Sequence, residues 1–268
     1  MSLKDIPIFI INLKKDKTKK QHMEHLCKRH HLQCTFTEAV YGKELDEDTI
    51  STVYDKKAPE RFDQRQLTTS EIGCALSHIS IYRKMIEENI AQAVVFEDDI
   101  DIKEGFVSVL DHVDMFPRDW EMVLLGYYKG NSDKNNIRSY LRPRVKITRK
   151  HQLVRLIRRG IGAHGYLLNL SGAKKLIEHT SKLTEPIDHY TGDEKYLNVY
   201  AISPRVVRLD PVLCQQSNIE EDRKEIKISS KKHNVKPHKI KKEILRVYKQ
   251  LLDVLKTLKI PKKYKSHQ

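Results

Sequence analysis

Four short runs of almost unbroken apolar residues restrict this chain most: IPIFIINL from Ile6, AVVF from Ala93, MVLLG from Met122 and GYLLNL from Gly165. A strand that is apolar at consecutive positions leaves no face for water, so its sheet must be covered on both sides. Helical spacing fills the intervals. Met23, Leu26 and Cys27 recur on one face after the first run, and Ile72, Leu76, Ile79, Tyr82, Met85 and Ile86 do so in TTSEIGCALSHISIYRKMIEEN, with Thr69 or Ser70 as N-cap. GFVSVLDHVDMF and SGAKKLIEHTSKL read as two further helices. The alternation predicts an α/β fold, a Rossmann-type, mostly parallel sheet with helices on both faces. Ligands of such sheets bind at the carboxyl ends of the strands.

Charge is distributed unevenly. The 268 residues carry a formal +14, yet residues 223–268 hold 16 Lys and Arg against 3 acids. That leaves the preceding part nearly neutral and predicts two units: a catalytic-type domain over 1–222 and a basic amphipathic helical tail over 223–268. In the tail, apolar residues from Ile240 to Leu258 recur at three and four. A second basic segment, Lys129 to Arg159, has 11 basic residues and one acid and reads as an insertion or a phosphate-meeting loop.

No run approaches the length of a membrane span, and the N-terminus passes directly into a strand-like segment. Cys27, Cys34, Cys74 and Cys214 are scattered without CxxC or zinc spacing, so reduced thiols and a cytoplasmic protein are expected.

The second run ends in Glu97-Asp98-Asp99, with Asp101 one residue beyond. Clustered carboxylates at the mouth of a sheet repel one another unless a cation offsets them. Hard oxygen donors suit magnesium or manganese, which also grip phosphates. A solvated acidic turn is the competing reading.

Several motifs in order resolve that choice: IINLKKD, AVYGKEL, EIGCALSH, AVVFEDDI, WEMVLLG and GAHGYLLNLSGAKKLI. With them the chain resembles glycosyltransferase family 25, which includes bacterial lipooligosaccharide β-1,4-galactosyltransferases, over roughly residues 6–217. The resemblance implies a GT-A-like fold, a UDP-sugar donor, most of all UDP-galactose, a lipooligosaccharide acceptor and inversion at the anomeric carbon. UDP-glucose is the alternative donor. Glu97-Asp98-Asp99 matches the family's metal-binding acidic motif as an ExD variant, which makes Asp99 and Glu97 the metal ligands and Asp98 a donor contact.

Inversion in one displacement needs a base for the acceptor hydroxyl. EPIDHYTGDEKY supplies Asp188, favoured by its Pro-hydrophobic-Asp context, and Asp193 second. Donor contacts are expected from Asn12, Leu13 and Lys14 after the first strand, Val40 and Gly42 in AVYGK, Ser77 and His78 in ALSH, Gly165 under the sugar and Gln216 late in the chain.

The basic tail would lie on an anionic membrane surface, which places the protein at the inner face of the cytoplasmic membrane. Two readings compete from other classes: a metal-dependent nucleic-acid-binding protein or nuclease, and a nucleotide-sugar sensor without turnover. The near-neutral body and 7% aromatic content speak against specific nucleic-acid binding.

Overall fold

The computed structural model describes residues 3–58, 65–128, 139–157, 159–216, 219 and 222. The expected tail helix over 223–268 and residues 129–138 of the basic segment lie outside them. The strands are β1 (Ile8–Asn12), β2 (Cys34–Glu38), β3 (Gln92–Glu97), β4 (Ile100–Ile102), β5 (Met122–Leu124), β6 (Ser139–Lys146), β7 (Gln152–Leu156), β8 (Gly165–Asn169), β9 (Val199–Ser203) and β10 (Val207–Leu209). The helices are α1 (Lys17–Arg29), α2 (Glu47–Val53), α3 (Thr69–Glu87), α4 (Phe106–Leu110), α5 (Leu170–His179) and α6 (Ile187–Gly192).

Eight strands form one sheet in the order β2-β1-β3-β8-β5-β9-β7-β6, and β4 and β10 form a separate antiparallel pair. The β1–β2, β1–β3 and β5–β9 ladders are parallel, while β8 and β7 run against their neighbours. Six strands therefore point one way and two the other, a mostly parallel mixed sheet.

The apolar runs divide between two cores by simple alternation. Phe9, Ile11, Ala93 and Val95 face one core, where α3 and α5 contribute Ile72, Ile79, Tyr82 and Leu176. Ile8, Ile10, Val94 and Phe96 face the other, with Met23 and Leu26 of α1 and Phe106 and Val109 of α4. Each fully buried Val or Phe in β3 contributes roughly 1.5–3 kcal/mol, and Val94, Val95 and Phe96 are all fully buried.

Three expectations are corrected. Residues 139–157 are not a loop but two strands, β6 at the edge of the sheet and β7 beside it, because Leu153, Val154 and Leu156 carry enough apolar surface to be buried. The basic Arg155 among them is buried too, donating from Nη1 to the Val199 carbonyl at 2.6 Å and stacking over Tyr200. GFVSVLDHVDMF splits into α4 and a 3-10 turn, Val113–Met115. Lastly, Cys27 and Cys34 are joined as a disulfide that ties the end of α1 to the start of β2, leaving Cys74 and Cys214 free.

Candidate active site

β1, β2 and β3 are parallel, so their carboxyl ends open on one edge, and the antiparallel β8 begins at that same edge. The backbone there is closely fixed. Glu97 N donates to His164 O at 3.1 Å, and Asp210 N, just past β10, donates to Asp99 O at 2.7 Å. The acidic turn is thus clamped on both sides before its side chains act.

A lysine answers part of the repulsion. Lys19 Nζ lies 3.2 Å from Asp98 Oδ1 and 3.4 Å from Asp99 Oδ2, and all three side chains are nearly buried. Asn12 Nδ2 donates to Asp98 Oδ2 at 2.7 Å. Burial pushes the Asp98 carboxyl up despite Lys19 and Asn12. Burial, joined by the Glu97 charge, pushes Asp99 up to about 7. Burial alone would also raise Glu97, but His78, His164 and Lys19 outweigh it and hold this carboxyl below its ordinary value. One acidic run therefore contains carboxylates with opposed proton affinities, which is common at functional sites.

Two adjoining lobes open from this turn, about 690 and 610 Å³ of space continuous with solvent, and share Cys74, Glu97, Asp99 and Ile219 as a common wall. The lobe beside β1 and β2 is lined by Leu13, Asp16, Lys19, Val40, Tyr41, Gly42, Ser77 and Asp98. Its loop is held to α3 through Ser77, whose Oγ donates to Gly73 O and accepts from Val40 N, both at 2.8 Å. The second lobe is lined by Glu71, Tyr128, Gly162, His164 and Asp188, with Tyr128 and His164 stacked at 5.8 Å. Asp188, in the first turn of α6, accepts from Gly162 N at 3.3 Å.

Most of the sequence-derived residues meet here, and several do not. Leu13, Val40, Gly42, Ser77, Glu97, Asp98, Asp99 and Asp188 line the lobes. Asn12 and His78 stand one layer behind, Asn12 on Asp98 and His78 with Nε2 3.4 Å from Glu97 Oε1. Lys14 is exposed and outside the lining, since β1 has ended and the chain is turning into α1. Gly165 is buried against Val207 and not under the cleft. Asp193 closes α6, accepts from Lys195 N at 3.0 Å and lies 4.0 Å from Arg159, outside both linings. Gln216 ends the 3-10 turn Leu213–Gln216, and its side chain lies outside the described residues.

Sequence reasoning missed Lys19, Cys74, Tyr128 and His164. Lys19 carried a signal, because it falls four, seven and eight residues before Met23, Leu26 and Cys27, on the buried face of α1. Cys74 precedes His78 by four, which puts both on one side of α3. Cys74, His78 and Glu97 each offer a ligand atom within 4.8 Å of the other two, a possible metal-binding triad.

A mixed α/β sheet with an acidic turn at the carboxyl edge of its parallel strands, opening on a two-lobed cleft, puts a ligand-sized opening where sheets of this kind bind their ligands. The sequence matches glycosyltransferase family 25 (LPS biosynthesis protein) over residues 5–191, and the chain belongs to that family. Human procollagen galactosyltransferase 2 is 27% identical over 183 residues, covering 63% of this chain and 27% of that protein. Procollagen galactosyltransferase 1-A of Xenopus laevis is 30% identical over 183 residues, covering 63% and 28%. The chain thus spans less than a third of the length of these relatives. Among solved structures, A197 from STIV superposes with a TM-score of 0.43 at 12% identity, covering 77% of this chain and 83% of that one.

Proposed function

We propose that the chain is an inverting galactosyltransferase that moves galactose from UDP-galactose to a lipooligosaccharide or lipopolysaccharide acceptor. The observation that carries this reading is the shared wall of the two lobes. Glu97 and Asp99 border a lobe suited to the nucleotide on one side and a lobe containing Asp188 on the other. A donor lying across that wall would bring its anomeric carbon towards Asp188. The family's description supports the lipopolysaccharide-type acceptor, and the names of the relatives support galactose.

In this reading the acceptor hydroxyl gives its proton to Asp188 as its oxygen bonds to the anomeric carbon, while the bond from that carbon to the UDP oxygen breaks. Gly162 N holds the Asp188 carboxylate in place. Lys19 and Asn12 orient the acidic turn. The site fits a divalent ion, manganese or magnesium, because Asp99 Oδ1 is buried without a hydrogen-bond partner beside Glu97. Such an ion would be held by Asp99 and Glu97 and would offset the charge gathering on the leaving diphosphate. The basic tail would hold the enzyme against an anionic membrane surface at the cytoplasmic face, near a lipid-linked acceptor.

The relatives' names favour a second acceptor, collagen. The experiment is a transfer assay with UDP-galactose and manganese against lipooligosaccharide and collagen acceptors, with UDP-glucose as the competing donor. Transfer to lipooligosaccharide that disappears in Asp99→Ala, with the fold intact by circular dichroism, supports the reading. Full activity in Asp99→Ala removes the donor site, transfer only to collagen replaces the acceptor, and UDP binding without turnover reassigns the chain as a sensor.

A further inference from the structure

At the back of the shared wall is a donor set unlike the carboxylates in front of it. Cys74 and His78 are one helical turn apart on α3, and Glu97 ends β3 opposite them. One sulfur, one imidazole nitrogen and one carboxylate oxygen lie within 4.8 Å of one another. His78 is fully buried, and its Nε2 has no hydrogen-bond partner, with Glu97 Oε1 at 3.4 Å. An imidazole nitrogen sealed from water with only a long contact to a carboxylate leaves bonding capacity poorly used, which costs free energy unless something between the two groups takes it up. The other ring nitrogen is already occupied: Nδ1 is 2.8 Å from the Tyr166 hydroxyl, which in turn is 3.0 Å from the Tyr82 hydroxyl. That is the outer-shell arrangement that fixes the tautomer and aim of a metal-bound histidine.

We propose that Cys74, His78 and Glu97 form a binding site for a thiophilic divalent ion of the zinc type, distinct from the hard-ion site of the donor. Sulfur and imidazole select zinc or cobalt, whereas manganese and magnesium prefer oxygen. Three protein ligands leave a further coordination position, and both lobes of the cleft reach Cys74 and Glu97. On binding, the Cys74 thiol releases its proton to solvent and the thiolate joins the ion. Because Glu97 serves both sites, an ion on the triad withdraws it from the donor. This last consequence rests on the transferase reading; the binding itself does not.

The test is titration of the metal-free full-length chain with cobalt(II), followed by absorption. One equivalent is expected to give visible d–d bands with a near-ultraviolet thiolate-to-cobalt band, both bleached by zinc. Cys74→Ser, close to isosteric, is expected to lose the thiolate band. Tyr166→Phe keeps all three ligands and is expected to weaken cobalt binding about 10–100-fold, so it reads the site even if serine at position 74 disturbs packing. Asp99→Asn is expected to keep the spectrum. The proposal is overturned if the wild-type chain gives no thiolate band, if the band survives in Cys74→Ser, or if Asp99→Asn abolishes it.

Discussion

The ammonium of Lys19 approaches the buried Asp99 carboxylate to 3.4 Å, an ion pair between the first turn of α1 and the turn that follows β3. The same ammonium reaches Asp98, so one side chain offsets two acids that would otherwise repel each other and Glu97. Removing one partner of a buried pair is costly because the remaining charge stays in a poor solvent. Lys19→Met is therefore expected to destabilise the fold by about 3 kcal/mol, roughly 6–10 °C in melting temperature for a chain of this size. Manganese should restore more of the loss in the variant than it adds to the wild type. Equal melting curves for the two proteins would show that Lys19 carries no such load.

Asp99 gives a pH dependence of defined sign. Its carboxyl is raised from an ordinary 3.8 to about 7, first by burial and then by Glu97. Between those values the folded chain holds a proton that the unfolded chain has released, so stability falls as pH rises through this window and the cost is complete above about 7. Below 3.8 both states are protonated and the group is silent. Asp99→Asn removes the cost, and its melting temperature relative to wild type should accordingly be higher at pH 8 than at pH 5. A difference that is flat from pH 5 to 8, or that runs the other way, would contradict the burial of this charge.

The two acids of α6 separate by position. Asp188 borders the cleft with Glu97 and Asp99, whereas Asp193 pairs with backbone and Arg159 at the far end of the helix. A positioned base contributes about 10²–10⁴-fold, so Asp188→Asn is expected to lower turnover by that order while UDP affinity measured by calorimetry changes little. Asp193→Asn should retain turnover within a few-fold. Interchanged results would move the base to the end of α6.

The strands were legible in the sequence because burial on both faces leaves a mark that needs no tertiary knowledge, as AVVF in β3 does with Ala93 and Val95 in one core and Val94 and Phe96 in the other. The acidic turn was legible for the opposite reason, since carboxylates at the end of such a run are expensive and therefore conspicuous. Lys19 was hidden among the lysines of KKDKTKK, where composition suggests a solvated face and only its phase with Met23 distinguishes it. The edge strand β6 and its neighbour β7 were obscured because their arginines suggested solvent, and burial of Arg155 depends on the Val199 carbonyl and the Tyr200 ring, neither near it in sequence. The pairing of Cys27 with Cys34 likewise depends on how α1 returns to β2, which spacing alone does not specify.

A contact between two glycines governs how the loop of the lobe beside β1 and β2 rests on α3. A Cβ added to Gly73 would lie 2.6 Å from Gly42 N and 2.7 Å from Val40 O, and one added to Gly42 would lie 2.0 Å from Thr69 O. These obstacles are backbone atoms and cannot swing aside, so a methyl group forces loop and helix apart. Overpacking of this kind costs about 1–3 kcal/mol. The displaced loop also carries Val40, whose N–H accounts for the bond to Ser77 Oγ, and that bond should weaken with it. Gly73→Ala is thus expected to lower the melting temperature and to reduce UDP affinity together. Ser77→Ala, which removes the same bond without the methyl clash, should lose less of both. If Gly73→Ala destabilises the chain and yet binds UDP with unchanged affinity, the lobe beside β1 and β2 is not where the nucleotide lies.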